Sequence, residues 1–333
     1  MSMGDSMPNI KDVAKRAGVG IATVSRVVNG TGPVKKETRE KIEQVIKELG
    51  YKPNEIARSM INQKTKMIAF VVPHSNHVFF SELIYHVDHA LSRYGMKLMV
   101  CNSGSHRERE LELITMLTNN RVDGLIFLTS NDIENYLPKG YPIVSFDRRF
   151  DGIPFVASDN YEGGRLAAKT LLESGAEKLL FIGDDAQGEL SQISTEVSKR
   201  RKGFIDYLKE VQHSNYKIIE YPQGDLFLPK NYIHDTIVKH LDYDGIFAIS
   251  DQLAHEIILV LNEHHIAIPT TTKIVGYDGI EGAINTGITI TSIAQPIAEL
   301  SEALVETLMK MIAGKPVEST ILPIALKPGD STL

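Results

Sequence analysis

The run Ile21-Ala22-Thr23-Val24-Ser25-Arg26-Val27-Val28-Asn29 gathers side chains that can address DNA. The Arg26 guanidinium can pair with both acceptors of a guanine, and Ile21 and Ala22 can touch thymine methyl groups. The hydroxyls of Thr23, Ser25, Thr38 and Tyr51 suit phosphate contacts. A second group stands much later, each member just after an apolar run: Asp147-Arg148 after Ile143 to Phe146, Asp251 after Ile249, Tyr277-Asp278 after Val275, Gln295 after Ile293. The pair Phe79-Phe80 opens a helix after the first such run. Carboxylate, guanidinium and amide groups bond hydroxyls, and aromatic faces stack on sugar C-H surfaces, so this group predicts a polyol pocket. Other reactive types do not converge. His74, His77, His255, His264 and His265 have no metal-ligand spacing and are expected at the surface or in packing, and Cys101 lies in an apolar strand. Gly163-Gly164 lacks the strand-to-helix phosphate fingerprint. With no Walker loop or nucleophile elbow either, no cofactor, metal or catalytic group is expected.

The first group needs a small helical scaffold. Asn9 is a good N-cap ahead of Ile10, Val13 and Ala14 at helical spacing, and Asp12 falls in the first turn, where a carboxylate suits the dipole. Gly18 ends that helix, Gly18-Val19-Gly20 makes a tight turn, and a second helix over Ile21 to Val28 stops at Asn29-Gly30. A third, from about Lys36 to Leu49, puts Ile42, Val45, Ile46 and Leu49 on one face. This order, with the second helix as reader, is a helix-turn-helix. Residues 1 to 66 carry 13 Lys/Arg against 7 Asp/Glu, whereas the remainder carries 23 against 35. A basic head on an acidic body is the charge footprint of a nucleic-acid-binding module. Asn54 to Ile61 is too short for a stable lone helix and leads into a polar linker, Asn62 to Lys66.

The second group needs sheets. From Met67, β-rich runs (Met67 to Pro73, Lys97 to Cys101, Gly124 to Thr129, Ile143 to Asp147) alternate with amphipathic stretches at Glu82 to Tyr94 and Glu108 to Asn119. A second series places strands at Leu179 to Gly183, Lys217 to Tyr221, Gly245 to Ile249 and Ile274 to Tyr277. Its helices fall at Lys199 to Val211, Tyr232 to Leu241 and Leu253 to His264. The predicted fold is a small all-α helix-turn-helix head plus an α/β body of two doubly wound parallel-sheet lobes. Ile290 to Gln295 and Ile321 to Leu326 must cross back between lobes. The expected boundaries are a head at 8–53, a hinge helix and linker at 54–66, and a body at 67–333. Within the body the first lobe takes about 67–158 plus 294–321, and the second about 159–293 plus 322–333. Hydrophobic residues at 42% and charged residues at 23% give enough apolar material for these cores. One cysteine and no apolar leader predict a cytoplasmic location, and no uncharged run approaches the roughly 18 residues of a membrane span.

Several stretches of the head resemble one family: Ile10-Lys11-Asp12-Val13-Ala14, Ala17-Gly18-Val19, Thr23 to Asn29, Thr38-Arg39-Glu40-Lys41-Ile42, and Leu49-Gly50-Tyr51-Lys52-Pro53-Asn54. Together they resemble the DNA-binding head of the LacI/GalR family of bacterial transcription repressors. The body is similar to the periplasmic sugar-binding fold these repressors share. Val275-Gly276-Tyr277-Asp278-Gly279, Thr291-Ser292-Ile293-Ala294-Gln295, Ser145-Phe146-Asp147-Arg148 and Arg200-Arg201-Lys202-Gly203-Phe204 look similar to ribose-binding proteins and ribose-type repressors. The resemblance implies that Ile21, Ala22, Thr23, Ser25, Arg26 and Asn29 lie at or near the major groove, with Asn9, Thr38 and Tyr51 also on the DNA side. It implies a hinge helix that orders on operator DNA, containing Asn54, Ala57, Arg58 and Met60, with Met60 as minor-groove wedge. It implies an effector site lined by Phe79, Phe80, Asp147, Arg148, Arg200, Asp251 and Gln295. Five positions depart from the family pattern. Gly20 replaces a capping serine, Met60 a leucine, Leu128 an asparagine on the third strand, and His77-Val78 the Asn-Pro before the aromatic pair.

The expected function is a sugar-responsive repressor of a carbohydrate operon with a pentose such as ribose as effector. It would act as a homodimer on pseudo-palindromic double-stranded operator DNA, with no membrane partner. The alternative is a catabolite regulator of the same family whose corepressor is a phosphorylated carrier protein. An enzyme fused to a DNA-binding head finds no supporting motif, and a transport binding protein would need an export signal and no head.

Overall fold

The computed structural model describes residues 8–52, 64–184, 195–221, 230–280 and 287–333, in two units that divide between Thr65 and Lys66. The expected hinge residues Asn54, Ala57, Arg58 and Met60 lie outside the described residues.

In the first unit, α1 (Ile10–Ala17) starts at Asn9, whose Oδ1 accepts the Lys11 amide at 2.8 Å while Asp12 Oδ2 accepts the Asn9 amide at 2.8 Å. This reciprocal cap satisfies donors that a helix start otherwise leaves open. Gly18 ends α1 at φ 65°, a left-handed conformation that only glycine adopts without steric cost, and the chain turns into α2 (Ile21–Asn29). α2 begins at Gly20 with no side-chain cap, so its first turn relies on packing. α3 (Lys36–Leu49) closes the unit around Val13, Ala17, Val24 and Ile42, all fully buried.

The second unit holds two six-stranded sheets. Strands β1 (Met67–Val72), β2 (Lys97–Asn102), β3 (Gly124–Phe127), β4 (Ile143–Phe146) and β5 (Phe155–Ser158) lie parallel in the order β2-β1-β3-β4-β5. Strands β6 (Leu179–Asp184), β7 (Tyr216–Tyr221), β8 (Gly245–Ala248), β9 (Lys273–Asp278) and β10 (Thr291–Ala294) repeat that order as β7-β6-β8-β9-β10. The edges are finished by β11 (Thr320–Leu322), parallel to β5, and β12 (Ala325–Lys327), antiparallel to β10. Helices α4 (Val78–Ser92), α5 (Arg107–Thr118) and α10 (Ile297–Ile312) pack on the first sheet, and α6 (Asn160–Glu173), α8 (Lys230–Val238) and α9 (Asp251–Glu263) serve the second, α8 against α9. Helix α7 (Lys199–Glu210) lies against α6. Covered on both faces, the inner strands are continuous apolar runs, and Ile68 to Val72 are wholly buried.

Among the described residues the chain passes between the sheets three times: from β5 into α6, from β10 into α10, and from β11 to β12. The run Ile321 to Leu326 is thus two strands in different sheets, broken at Pro323-Ile324. β5, only four residues long, was not anticipated, and α4 begins at Val78, with the aromatic pair opening it as expected and the amphipathic stretch from Glu82 following. Helices α6 and α7 meet backbone to backbone: a Cβ on Gly164 would fall 1.9 Å from the Arg200 carbonyl oxygen, and one on Gly203 1.9 Å from that of Tyr161. Gly164 serves this approach, whereas Gly163 leaves room for the Tyr277 ring. No helix among the described residues is long and apolar enough to cross a membrane.

Candidate effector cleft and reading helix

On α2, Val24 and Val27 face the core, while Ile21 is 46% exposed and Ala22 and Arg26 also face outwards. Thr23, Ser25 and Asn29 are half-buried beside them, and Asn29 Nδ2 donates to Ser25 Oγ at 3.1 Å. Asn9 caps α1, and Thr38 and Tyr51 are half-buried. A short helix with one apolar face inward and a guanidinium, a branched apolar side chain and hydroxyls outward has the shape and chemistry of a major-groove reader.

In the body, the carboxyl ends of both sheets converge on a cavity of about 150 Å³. The first lobe contributes Phe79 and Phe80 from α4, His77 at its N-cap, Leu128 and Thr129 after β3, and Phe146 and Asp147 from β4. The second contributes Arg200 from α7, Tyr221 from β7, Ile249 after β8 and Asp278 from β9, with Gln295 at the crossing after β10. The aromatic wall is rigid: Phe79 packs edge-on against Phe80 with centroids 5.8 Å apart and stacks on Phe146 at 6.0 Å. The polar wall is cross-braced. Arg200 donates from Nε to Asn160 Oδ1 and from Nη1 to the Ile249 carbonyl, both at 2.7 Å, with its guanidinium 3.5 Å above the Tyr277 ring. Asn160 Nδ2 donates to Asp147 Oδ1 at 3.3 Å, Gln295 Nε2 to Asp278 Oδ1 at 2.8 Å, and Ser158 Oγ to Gln295 Oε1 at 2.7 Å. Both cleft carboxylates sit on strained backbone, Asp147 at φ 54° and Asp278 at φ 106°.

Burial pushes the Asp147 carboxyl up to about 7 against the opposing pull of Arg200. Burial also raises Asp278, with Asp251 nearby adding to the shift. His77 goes down to about 4, chiefly by burial, with repulsion from His74 and Arg200, so its imidazole is neutral near pH 7.

Of the seven expected effector residues, Phe79, Phe80, Asp147, Arg200 and Gln295 line this cavity and two do not. Arg148 turns back into its own lobe: Nη1 donates to the Asn131 carbonyl and the guanidinium lies 4.3 Å over the Phe150 ring. Both residues lie past the end of β4, where the chain turns at Asp147 with φ 54°. Asp251 lies beneath the cleft, where Oδ2 accepts the Ile280 amide at 2.9 Å and braces the turn that carries Asp278. His77, expected in packing or at the surface, lines the cavity with its ring 4.8 Å from Phe80. Asn160 was missed as the brace between Asp147 and Arg200; it directly follows Asp159 after the unanticipated β5. Thr129 and Tyr221 also line the cavity without having been singled out, although both end apolar runs. Aromatic rings, carboxyl groups and a guanidinium thus line one pocket between the two sheets, the mixture typical of a small-molecule binding site.

The model for bacterial regulatory proteins of the lacI family matches residues 9–54, and that for a periplasmic binding protein domain matches residues 68–316. The chain is 35% identical to the sucrose operon repressor of Streptococcus mutans serotype c over 97% of its length and 98% of the relative's. It is 34% identical to the ribose operon repressor of Halalkalibacterium halodurans, covering 94% of this chain and 93% of that one. Among solved structures, a periplasmic binding protein/LacI transcriptional regulator from Alkaliphilus metalliredigens complexed with D-xylulofuranose superposes with a TM-score of 0.72 at 27% identity, over 80% of this chain and 99% of that one. A three-helix head, a two-lobed α/β body and identity along nearly the whole length lead to one assignment: the chain belongs to the LacI family of bacterial regulatory proteins and is a regulator.

Proposed function

We propose that this regulator is a sugar-responsive repressor whose cleft takes a single neutral sugar ring, a pentose such as ribose in the first instance. One observation carries the reading: Phe79, Phe80 and Phe146 line the same cavity of about 150 Å³ as Asp147, Asp278 and Arg200. A space of that size holds about one six-membered ring. Aromatic faces take the C-H side of such a ring and the carboxylates accept its hydroxyl protons. The one guanidinium of the described cavity wall is already bonded to Asn160 and the Ile249 carbonyl and lies 3.9 Å from Asp278, so it is not free for a phosphate, and a phosphorylated sugar is disfavoured there. Leu128 and His77, both departures from the ribose-type pattern, stand in the cavity wall and reshape it, so sugars other than ribose belong in the test. On the DNA side, one α2 helix covers a half-site, and a homodimer reads two halves of a pseudo-palindrome.

Calorimetric titration of the full chain with ribose, xylulose, fructose, glucose, sucrose and fructose phosphates tests the cleft. One neutral monosaccharide is expected to bind and to change the affinity for a duplex selected from a random library. Binding of phosphorylated sugars alone, or of no sugar, sinks the neutral-sugar reading. Absence of any enriched duplex sinks the DNA reading.

A further inference from the structure

A strap of residues joins the two lobes beside Asp147. Asp147-Arg148-Arg149 leaves β4 in the first lobe, and Thr195 to Ser198 leads into α7 in the second. The Glu196 amide donates to the Asp147 carbonyl at 2.8 Å, Arg148 and Thr195 form an antiparallel bridge, and Arg149 Nε meets Glu196 Oε1 at 2.6 Å. Thr195 and Val197 line the cavity, so this junction is part of the cleft rim. The Glu196 side chain is only 3% exposed and is held on its own side by Lys199 Nζ at 2.7 Å. Arg149 also lies 4.5 Å over the Phe155 ring, which anchors it to the first lobe.

We propose that Arg149 and Glu196 form an inter-lobe latch that holds the cleft closed and fixes the backbone of Asp147. They are positioning residues: they act on a cleft ligand through Asp147 and the rim. Opening the lobes separates Glu196 from Arg149 but leaves it paired with Lys199, so the latch can release without stranding a buried charge. The Asp147 carbonyl loses its cross-lobe donor in the same movement, and the strained turn that aims its carboxylate loses a restraint. A latch made both with and without ligand gates entry and exit alike, so its strength governs how fast a ligand exchanges more than how tightly it binds. The effect on ligand rests on the cleft being the sugar site, whereas the latch itself does not.

The test compares the full-length wild type with Arg149→Ala and Arg149→Lys, in which Glu196 keeps its Lys199 partner. Without ligand, hydrogen exchange at the Glu196 amide is expected to accelerate in Arg149→Ala and to recover in part in Arg149→Lys, while the Ser145 amide, bonded within the first lobe to the Pro154 carbonyl, does not change. With sugar, dissociation and association are both expected to quicken about three- to tenfold in Arg149→Ala, leaving the affinity little changed. Unchanged exchange at Glu196, or equal acceleration at Ser145, overturns the latch. Should the wild type bind no sugar, the exchange data alone still decide it, and only the cleft assignment falls.

Discussion

Asp147 carries opposite demands in one side chain. Its carboxyl, pushed up to about 7 by burial, lies well above the roughly 3.9 of an unfolded aspartate, so between those values the folded chain keeps a proton the unfolded chain has lost. Stability contributed by this group therefore falls as pH rises through that window. His77, at about 4 in the fold and near 6.5 unfolded, adds stability as pH rises from about 4 to 6.5. The wild-type curve sums both, and the clean observable is a difference. Asp147→Asn is expected to gain on the wild type steadily from pH 5 to 7 in urea unfolding, by up to about 1.4 kcal/mol per pH unit; a difference flat in pH shows that Asp147 ionises normally. Arg26, exposed on α2, carries a second residue-level expectation. Arg26→Ala should weaken specific operator binding by about 1–3 kcal/mol with unaltered thermal stability, measured against a random duplex competitor. The chemistry of both sites was legible in the sequence because functional groups follow strand ends and stud one helix. The direction of each was not: past the end of β4 Asp147 reaches the cleft while Arg148 turns to the Asn131 carbonyl and the Phe150 ring, and His77, at the cap of α4, enters the wall.

Helices and long strands announced themselves through periodicity and glycine stops, whereas β5, four residues long, and the split of β11 from β12 are set by pairing with distant strands. The contact between α6 and α7 belongs to the same class of tertiary information, and it yields a contrast between two glycines. Gly164→Ala places a Cβ 1.9 Å from the Arg200 carbonyl and 2.9 Å from the Phe204 amide nitrogen, both backbone atoms that cannot swing aside. The helices must separate, at a cost of about 3 kcal/mol or more, and Arg200 must shift with its helix. Urea unfolding should report the loss, and sugar titration should show weaker binding as well. Gly20→Ser, at a position with open space around its Cβ, should instead gain a few tenths of a kcal/mol by capping α2. Equal behaviour of the two variants would contradict the tight α6 to α7 crossing.

At the scale of the whole body, two sheets with separate apolar cores share one chain that passes between them three times among the described residues. Neither lobe is a continuous segment: the first needs α10 and β11 to complete it, and the second needs β12. Melting one lobe would free the crossings that end the other, and would break the Ser158, Gln295 and Asp278 chain together with the Glu196 bond to Asp147. The two lobes are therefore expected to unfold as one cooperative unit despite their separate cores. Scanning calorimetry should give a single body transition whose calorimetric and van't Hoff enthalpies agree, at roughly 0.7 kcal/mol per residue near 60 °C. A sugar bound between the lobes touches both and should move that transition upward intact, by an amount that grows with the logarithm of its concentration. Two body transitions, with only one responding to the sugar, would instead place the ligand within a single lobe and reduce the crossings to passive tethers.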